Sequence, residues 1–205
     1  PPVVGEGAQI VSQIAPVIDS NLSLRSPYTC SAAAQIFDLA RRYGAQVNLK
    51  PVLPMVMRGL PVPKAKRLYI AHDAARQAAR LGLPFGDIAD PLGRPVERGM
   101  AVLALAMDQG KGEAFTRSFL RGVWSEGIEA GRDKGLRQIC CAAGLDWQDC
   151  KAVIDDQGWR DMAMQNQEDL LALGLWGVPT FALDSASYWG EDRLWAVEDQ
   201  LKVGR

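Results

Sequence analysis

The chain has no C-x-x-C pair: its four cysteines stand at positions 30, 140, 141 and 150. That spacing gives no support to a dithiol redox centre or to a paired-cysteine zinc site. Cys140 and Cys141, neighbours on a predicted helix, point about 100° apart and are poorly placed to bridge. The cysteines read as buried, inert thiols, and a cytoplasmic setting fits best. His72 is the single histidine, so a histidine-rich metal site is not expected, and no metal is. The net charge of −1 implies no general attraction to nucleic acid. No apolar run approaches the roughly 18 residues needed to span a membrane. Residues 8–18 are moderately apolar but lack a basic leader, which speaks against a signal peptide. No internal repeat or low-complexity segment is visible.

What remains is a chain of 205 residues with 48% apolar content, enough for one large domain or one domain carrying an insertion. Residues 1–18 read as an N-terminal extension. A strand over 21–24, a helix over 28–43 and a strand over 47–51 open a βαβ unit. Ala33, Ile36, Phe37 and Ala40 fall at helical spacing, with Gly44 placed to cap. From 63 to 158 the strand signal disappears, and helices are predicted over 66–81, 96–109, 113–125, 134–143 and 147–156. A helix over 159–173, a hairpin of 180–183 with 188–189, and a helix over 194–202 complete the pattern. The order βαβ…αββα matches a thioredoxin-like α/β fold interrupted by an all-helical insertion domain. The division is 19–60 and 159–205 for the thioredoxin-like part and 61–158 for the insertion.

Two stretches carry the chemistry. Trp176-Gly177-Val178-Pro179-Thr180 places a Val-Pro pair between a helix and a short strand, a rigid turn suited to a cis peptide. Ser26-Pro27-Tyr28-Thr29 sits where a strand gives way to a helix, whose N-terminus offers free N–H groups and a positive dipole end. Ser26 is a favoured helix cap. It also stands where a redox protein of thioredoxin type has its first cysteine, which moves the chemistry from disulfide exchange to use of a bound thiol.

These motifs are joined by Tyr43-Gly44, Lys50-Pro51, Gly82-Leu83-Pro84-Phe85 and Gly190-Glu191-Asp192-Arg193. In their order and spacing the chain resembles the kappa-class glutathione transferases and the related 2-hydroxychromene-2-carboxylate isomerases, within the DsbA-like thioredoxin superfamily. The resemblance runs from about 21 to 201. It implies glutathione as cofactor, with Ser26 hydrogen-bonded to its sulfur. It implies that Val178, ahead of a cis Pro179, pairs with the cysteinyl backbone as an added strand. Asp192 matches the position that holds the γ-glutamyl end, and Glu191 lies beside it at the start of the last helix. Lys66 falls near a lysine that reaches the tripeptide. Tyr28 and Trp176 are candidate walls of a substrate pocket.

The chain also departs from the pattern. The segment from Pro51 to Lys66 is short and lacks the family's asparagine, Glu191 replaces a serine, and Cys30 replaces an aromatic residue. Cys30, on the first turn of the helix, is placed for the dipole to lower its pKa. Arg58 and Arg67 are candidates for an acidic substrate. The expected activity is glutathione-dependent isomerisation of an unsaturated aromatic hydroxy or keto acid by reversible thiolate addition, with a small-molecule substrate and a homodimer as assembly. The alternatives are a kappa-like transferase or peroxidase, a DsbA-like thiol–disulfide oxidoreductase, and a catalytically silent thioredoxin-like binding module. The missing C-x-x-C counts against the oxidoreductase.

Overall fold

The computed structural model describes residues 15–203. Its sheet contains β1 (Val17–Leu22), β2 (Gln46–Pro51), β3 (Thr180–Leu183) and β4 (Ala186–Trp189), in the order β2-β1-β3-β4. β1 runs parallel to β2, with Val17 opposite Gln46, and antiparallel to β3, with Asn21 opposite Thr180. β3 and β4 form an antiparallel hairpin. The crossover between the parallel pair is α1 (Pro27–Tyr43).

β1 starts and ends four and two residues ahead of the predicted 21–24. Val17 and Ile18 therefore belong to the sheet, because the parallel ladder to β2 begins at Val17. The chain turns just after Leu22. The Ser26 N–H bonds the Ser23 carbonyl at 3.0 Å, and the Ser23 hydroxyl takes the Arg25 N–H at 3.4 Å. The rest of the extension expected at the N-terminus lies almost entirely outside the described residues. The hairpin is tighter than predicted, since β4 begins at Ala186 and Asp184 turns the chain with φ 53°.

α1 forms for reasons legible in its ends. Ser26 caps it, Pro27 occupies its first turn without wasting an N–H, and Gly44 closes it at φ 64°. Arg41 and Arg42 sit in the last turn, where the dipole favours cations. Ala33, Ile36, Phe37 and Ala40 are all buried, as their spacing predicts.

Between β2 and α7 (Trp159–Ala172) lie a 3-10 turn, Met55–Arg58, and five helices. These are α2 (Lys64–Arg80), α3 (Arg94–Asp108), α4 (Gly112–Ser125), α5 (Asp133–Ala142) and α6 (Trp147–Val153). After β4 the chain forms a 3-10 turn, Glu191–Arg193, and α8 (Leu194–Val203). One hydrophobic core runs from Ile18 and Phe181 in the sheet, through Ile36 and Phe37, to Phe115 and Phe119 of α4 and Met100 of α3. Among the described residues no helix is long and apolar enough to cross a membrane.

Gly99 is the tightest joint of this core that bears on the site. A Cβ there would meet Phe119 Cε2 at 2.6 Å and Leu24 Cδ1 at 2.8 Å. Leu24 is fully buried two residues before Ser26, so the packing of α3 against α4 also seats the start of α1. Gly99→Ala is expected to cost about 2 kcal/mol through overpacking, read as a lowered urea midpoint at unchanged slope. A change within about 0.5 kcal/mol, the range of a neutral substitution, would show that the joint is looser than these distances imply.

Candidate functional site

Ser26 is the helix cap that its position predicts. Its Oγ accepts the Thr29 N–H at 3.2 Å, which is the cap. Its O–H proton has no acceptor among the described residues, so capping leaves the donor free for a ligand. Pro27 has no N–H, and the Tyr28 N–H makes no backbone bond. One hydroxyl, one amide and the positive end of α1 therefore converge at the same spot. That combination favours an anionic sulfur over a neutral thiol.

Opposite stands the loop before β3. The Val178–Pro179 bond is cis. No backbone hydrogen bond involves Val178, whereas the Pro179 carbonyl accepts the Gly190 N–H at 2.9 Å and the Gly177 carbonyl accepts the Thr180 hydroxyl at 2.8 Å. The loop is thus fixed on both sides of Val178, and Val178 keeps its own N–H and C=O free at an edge. Gly177 is required by its neighbour: a Cβ there would lie 2.3 Å from the Trp189 indole.

A cavity of about 420 Å³ opens beside these two features. Ser26, Tyr28, Lys66 and Val178 line it, as do Trp124 and Trp189, and most of its wall is apolar. Arg25 and Asp90 face each other at its wall in a bidentate pair, with both bonds at 2.7 Å. Lys66 and Arg67 also line it and form no ion pair among the described residues. The loop from α2 to α3 is stitched to the end of α4, with Gly86 N to the Trp124 carbonyl at 3.0 Å and Ala89 N to the Val123 carbonyl at 2.8 Å.

Four candidate residues do not line the cavity. Pro179 lies behind Val178 against the core side. Trp176 stands behind Trp189, their ring centroids 5.0 Å apart. Trp189 and Trp124 are the wall tryptophans, and neither has a sequence signal that singles it out. Glu191 and Asp192 follow Gly190 at the start of α8. Asp192 is half-exposed and paired with Arg193 at 2.5 Å. Glu191 is only 6% exposed, and its Oε2 has no partner. Burial raises its carboxyl above the ordinary value; Asp192 and Asp73 add to the rise and Arg80 opposes it.

The Tyr28 hydroxyl donates to Asp73 on α2 at 2.9 Å. Burial, followed by that bond, raises its pKa. The phenol is therefore a tie between α1 and α2 rather than a proton source at the reacting centre.

Of the two readings of Cys30, the inert thiol and the thiol activated at the helix start, the structure favours the inert one. Cys30 is partly buried against the core, and that burial pushes its pKa up to about 12. Cys140 and Cys150 are buried as expected, but Cys141 is exposed. Among the described residues no group of three or more His, Cys, Asp or Glu side chains is arranged to hold a metal ion.

A thioredoxin fold with serine at the helix start and a cis-proline loop facing it defines a thioredoxin-type protein without the C-x-x-C dithiol. A model of the DSBA-like thioredoxin domain matches residues 17–202, and the chain belongs to that family. It is 24% identical over 194 residues to 2-hydroxychromene-2-carboxylate isomerase of Sphingobium xenophagum, covering 90% of this chain and 97% of that protein. The structure of a 2-hydroxychromene-2-carboxylate isomerase superposes with TM-score 0.76 at 20% identity, over 91% of this chain and 94% of the other. The cytosolic disulfide reductase DsbM from Pseudomonas aeruginosa, solved with GSH, superposes with TM-score 0.66 at 20% identity, over 91% and 96% of the two chains.

Two outcomes follow. Alkylation of the folded protein by iodoacetamide at pH 8 should label Cys141 alone, read by peptide mass spectrometry. A thiol of pKa about 12 holds on the order of one part in ten thousand as thiolate at that pH; adducts at Cys30 on the same timescale would contradict its burial. Gly177→Ala should displace Trp189 and quench or shift indole fluorescence, with a stability loss of about 1–3 kcal/mol.

Proposed function

We propose that the chain is a glutathione-dependent isomerase acting on an unsaturated aromatic hydroxy or keto acid. The observation that carries this reading is the pairing of an unused Ser26 O–H and Tyr28 N–H with an unpaired Val178 backbone beside an apolar cavity. The residues fit the tripeptide. Val178 presents one donor and one acceptor to an extended backbone, with Pro179 fixing that edge. Asp192 and Glu191 stand at the γ-glutamyl end, and Lys66 reaches the ligand from α2.

When bound, glutathione supplies a thiolate that adds reversibly to the conjugated carbonyl and so permits bond rotation before elimination. Everything else falls to this chain. Ser26 and the Tyr28 N–H hold the sulfur as an anion and fix its position. Trp189 and Trp124 form an aromatic wall of a size suited to one aromatic ring, and Trp176 backs Trp189. Arg67 holds the substrate's carboxylate and draws electron density toward its oxygen atoms. Tyr28 keeps α2 over the cavity. No side-chain base is needed, because the addition and its reversal leave the proton count unchanged. A reducing compartment such as the cytoplasm keeps the thiol available.

Calorimetric titration with reduced glutathione, alongside Ser26→Ala, tests the reading. Binding to the wild type that weakens about tenfold in the variant is expected, the scale of a hydrogen bond to a charged group. Loss of the cap alone costs about 1 kcal/mol of stability and would leave affinity unchanged. Interconversion of 2-hydroxychromene-2-carboxylate isomers, followed by absorbance, should require glutathione. Conjugation of electrophiles without that interconversion would reassign the chain as a transferase. No affinity for glutathione would overturn the proposal and leave a silent binding module.

A further inference from the structure

Arg25 lines the cavity with its charge already taken. Its Nε and Nη2 donate to the two oxygens of Asp90, both at 2.7 Å, in the fork geometry that a guanidinium gives a carboxylate. Its Nη1 makes no hydrogen bond among the described residues. Both partners line the cavity, Arg25 directly before Ser26 and Asp90 on the loop from α2 to α3. Among the described residues Asp90 is the sole carboxylate of that lining, against the cations Arg25, Lys66 and Arg67.

The pair is not what holds the wall. Gly86, Ala89 and Gly127 fix the loop through backbone bonds to Trp124, Val123 and Asp87, and the Ser125 hydroxyl donates to the Pro84 carbonyl at 2.6 Å. The pair is also unevenly sealed: the Asp90 side chain is 47% exposed and that of Arg25 only 19%. Water screens such a pair, so little net energy keeps it closed. Asp90 is not stranded when released, because the Leu92 N–H donates to its Oδ1 at 3.2 Å and its open side meets solvent. Arg25, more buried and beside an apolar wall, needs an anion more than Asp90 needs a cation.

An aromatic acid entering the cavity carries the same group that Asp90 presents. Trp124 and Trp189 offer apolar faces to its ring. We infer that Asp90 is an internal stand-in for the substrate's carboxylate: it occupies the Arg25 fork in the empty cavity, and an aromatic carboxylate displaces it, ending on Arg25 and Arg67 together. A neutral ring offers nothing to the fork and leaves the pair closed, so the exchange selects for charge. This rests on the reading of the cavity as the seat of an aromatic acid, and adds to it a second cation and a built-in competitor.

The probe is chromone-2-carboxylate, with chromone-2-carboxamide as its uncharged counterpart, titrated by calorimetry at low salt without thiol. Asp90→Asn should bind the carboxylate about fivefold more tightly than wild type, the scale of a partly exposed ion pair removed from competition. It should bind the amide within about twofold of wild type. Arg25→Gln should bind the carboxylate about tenfold more weakly. In the double variant the gain from Asp90→Asn should vanish, because the fork it frees is gone. Equal affinity of wild type and Asp90→Asn for the carboxylate would overturn the inference. Asp90→Asn leaves the loop's backbone bonds in place, so that outcome needs no Arg25 variant to fold. A gain that persists in the double variant, or wild-type affinity in Arg25→Gln, would overturn it as well. In each of these cases the aromatic-acid reading of the cavity survives. Absence of binding by both wild type and Asp90→Asn would overturn the inference and that reading together.

Discussion

Burial of α1 between the sheet and the inserted helices sets the position of every other group in the site. Ile36 and Phe37 lie in the core, and Phe115 and Phe119 of α4 extend the same apolar mass beyond them. At the exposed rim, Arg41 bonds Glu113 at 2.9 Å and Arg117 stands 5.3 Å over the Phe37 ring. Such rim contacts add little energy individually, but they fix rotation about the helix axis. The buried apolar surface supplies the larger share, at roughly 25 cal/mol per Å². A helix held this way presents its N-terminus at one place, and Ser26 is that place.

The chemistry available there follows from what the helix start does not consume. A cysteine at this position would supply its own sulfur. Serine supplies a donor, and the free amide of Tyr28 adds a second. On the proposed function, the protein provides an electrostatic seat and delegates the nucleophile. Its own thiol nearby, Cys30, is partly buried and held protonated by that burial. Proximity of a cysteine to a helix start is thus a poor guide without its burial.

Much of this was legible in the chain because it is local. Capping by Ser26, closure by Gly44 and a cis bond before Pro179 depend on residues within a few positions of one another. The alternation of strands and helices was legible for the same reason, although β1 was displaced because its limits depend on pairing with β2. What stayed hidden depends on distant partners. Trp189 becomes a wall because it lies over Gly177, Tyr28 becomes a tie because Asp73 sits 45 residues away, and the bond from Arg58 to the Trp176 carbonyl spans 118 positions. A tryptophan, a tyrosine and an arginine at such positions have no short-range signature. The 3-10 turn carrying Arg58 was equally invisible, being too short for periodicity to show.

The walls of the cavity are unequally anchored. The loop after α2 is sewn to α4 by backbone bonds, and the cis-proline loop is pinned on both flanks. α2 by contrast buries only Ala74 and Ala78, starts at Pro63 without a side-chain cap, and is tied to α1 by one phenol. An element with so little buried surface opens at low free-energy cost. On the proposed function, α2 is the wall whose displacement would admit a ligand at least cost, since two alanines and one tyrosine are what hold it.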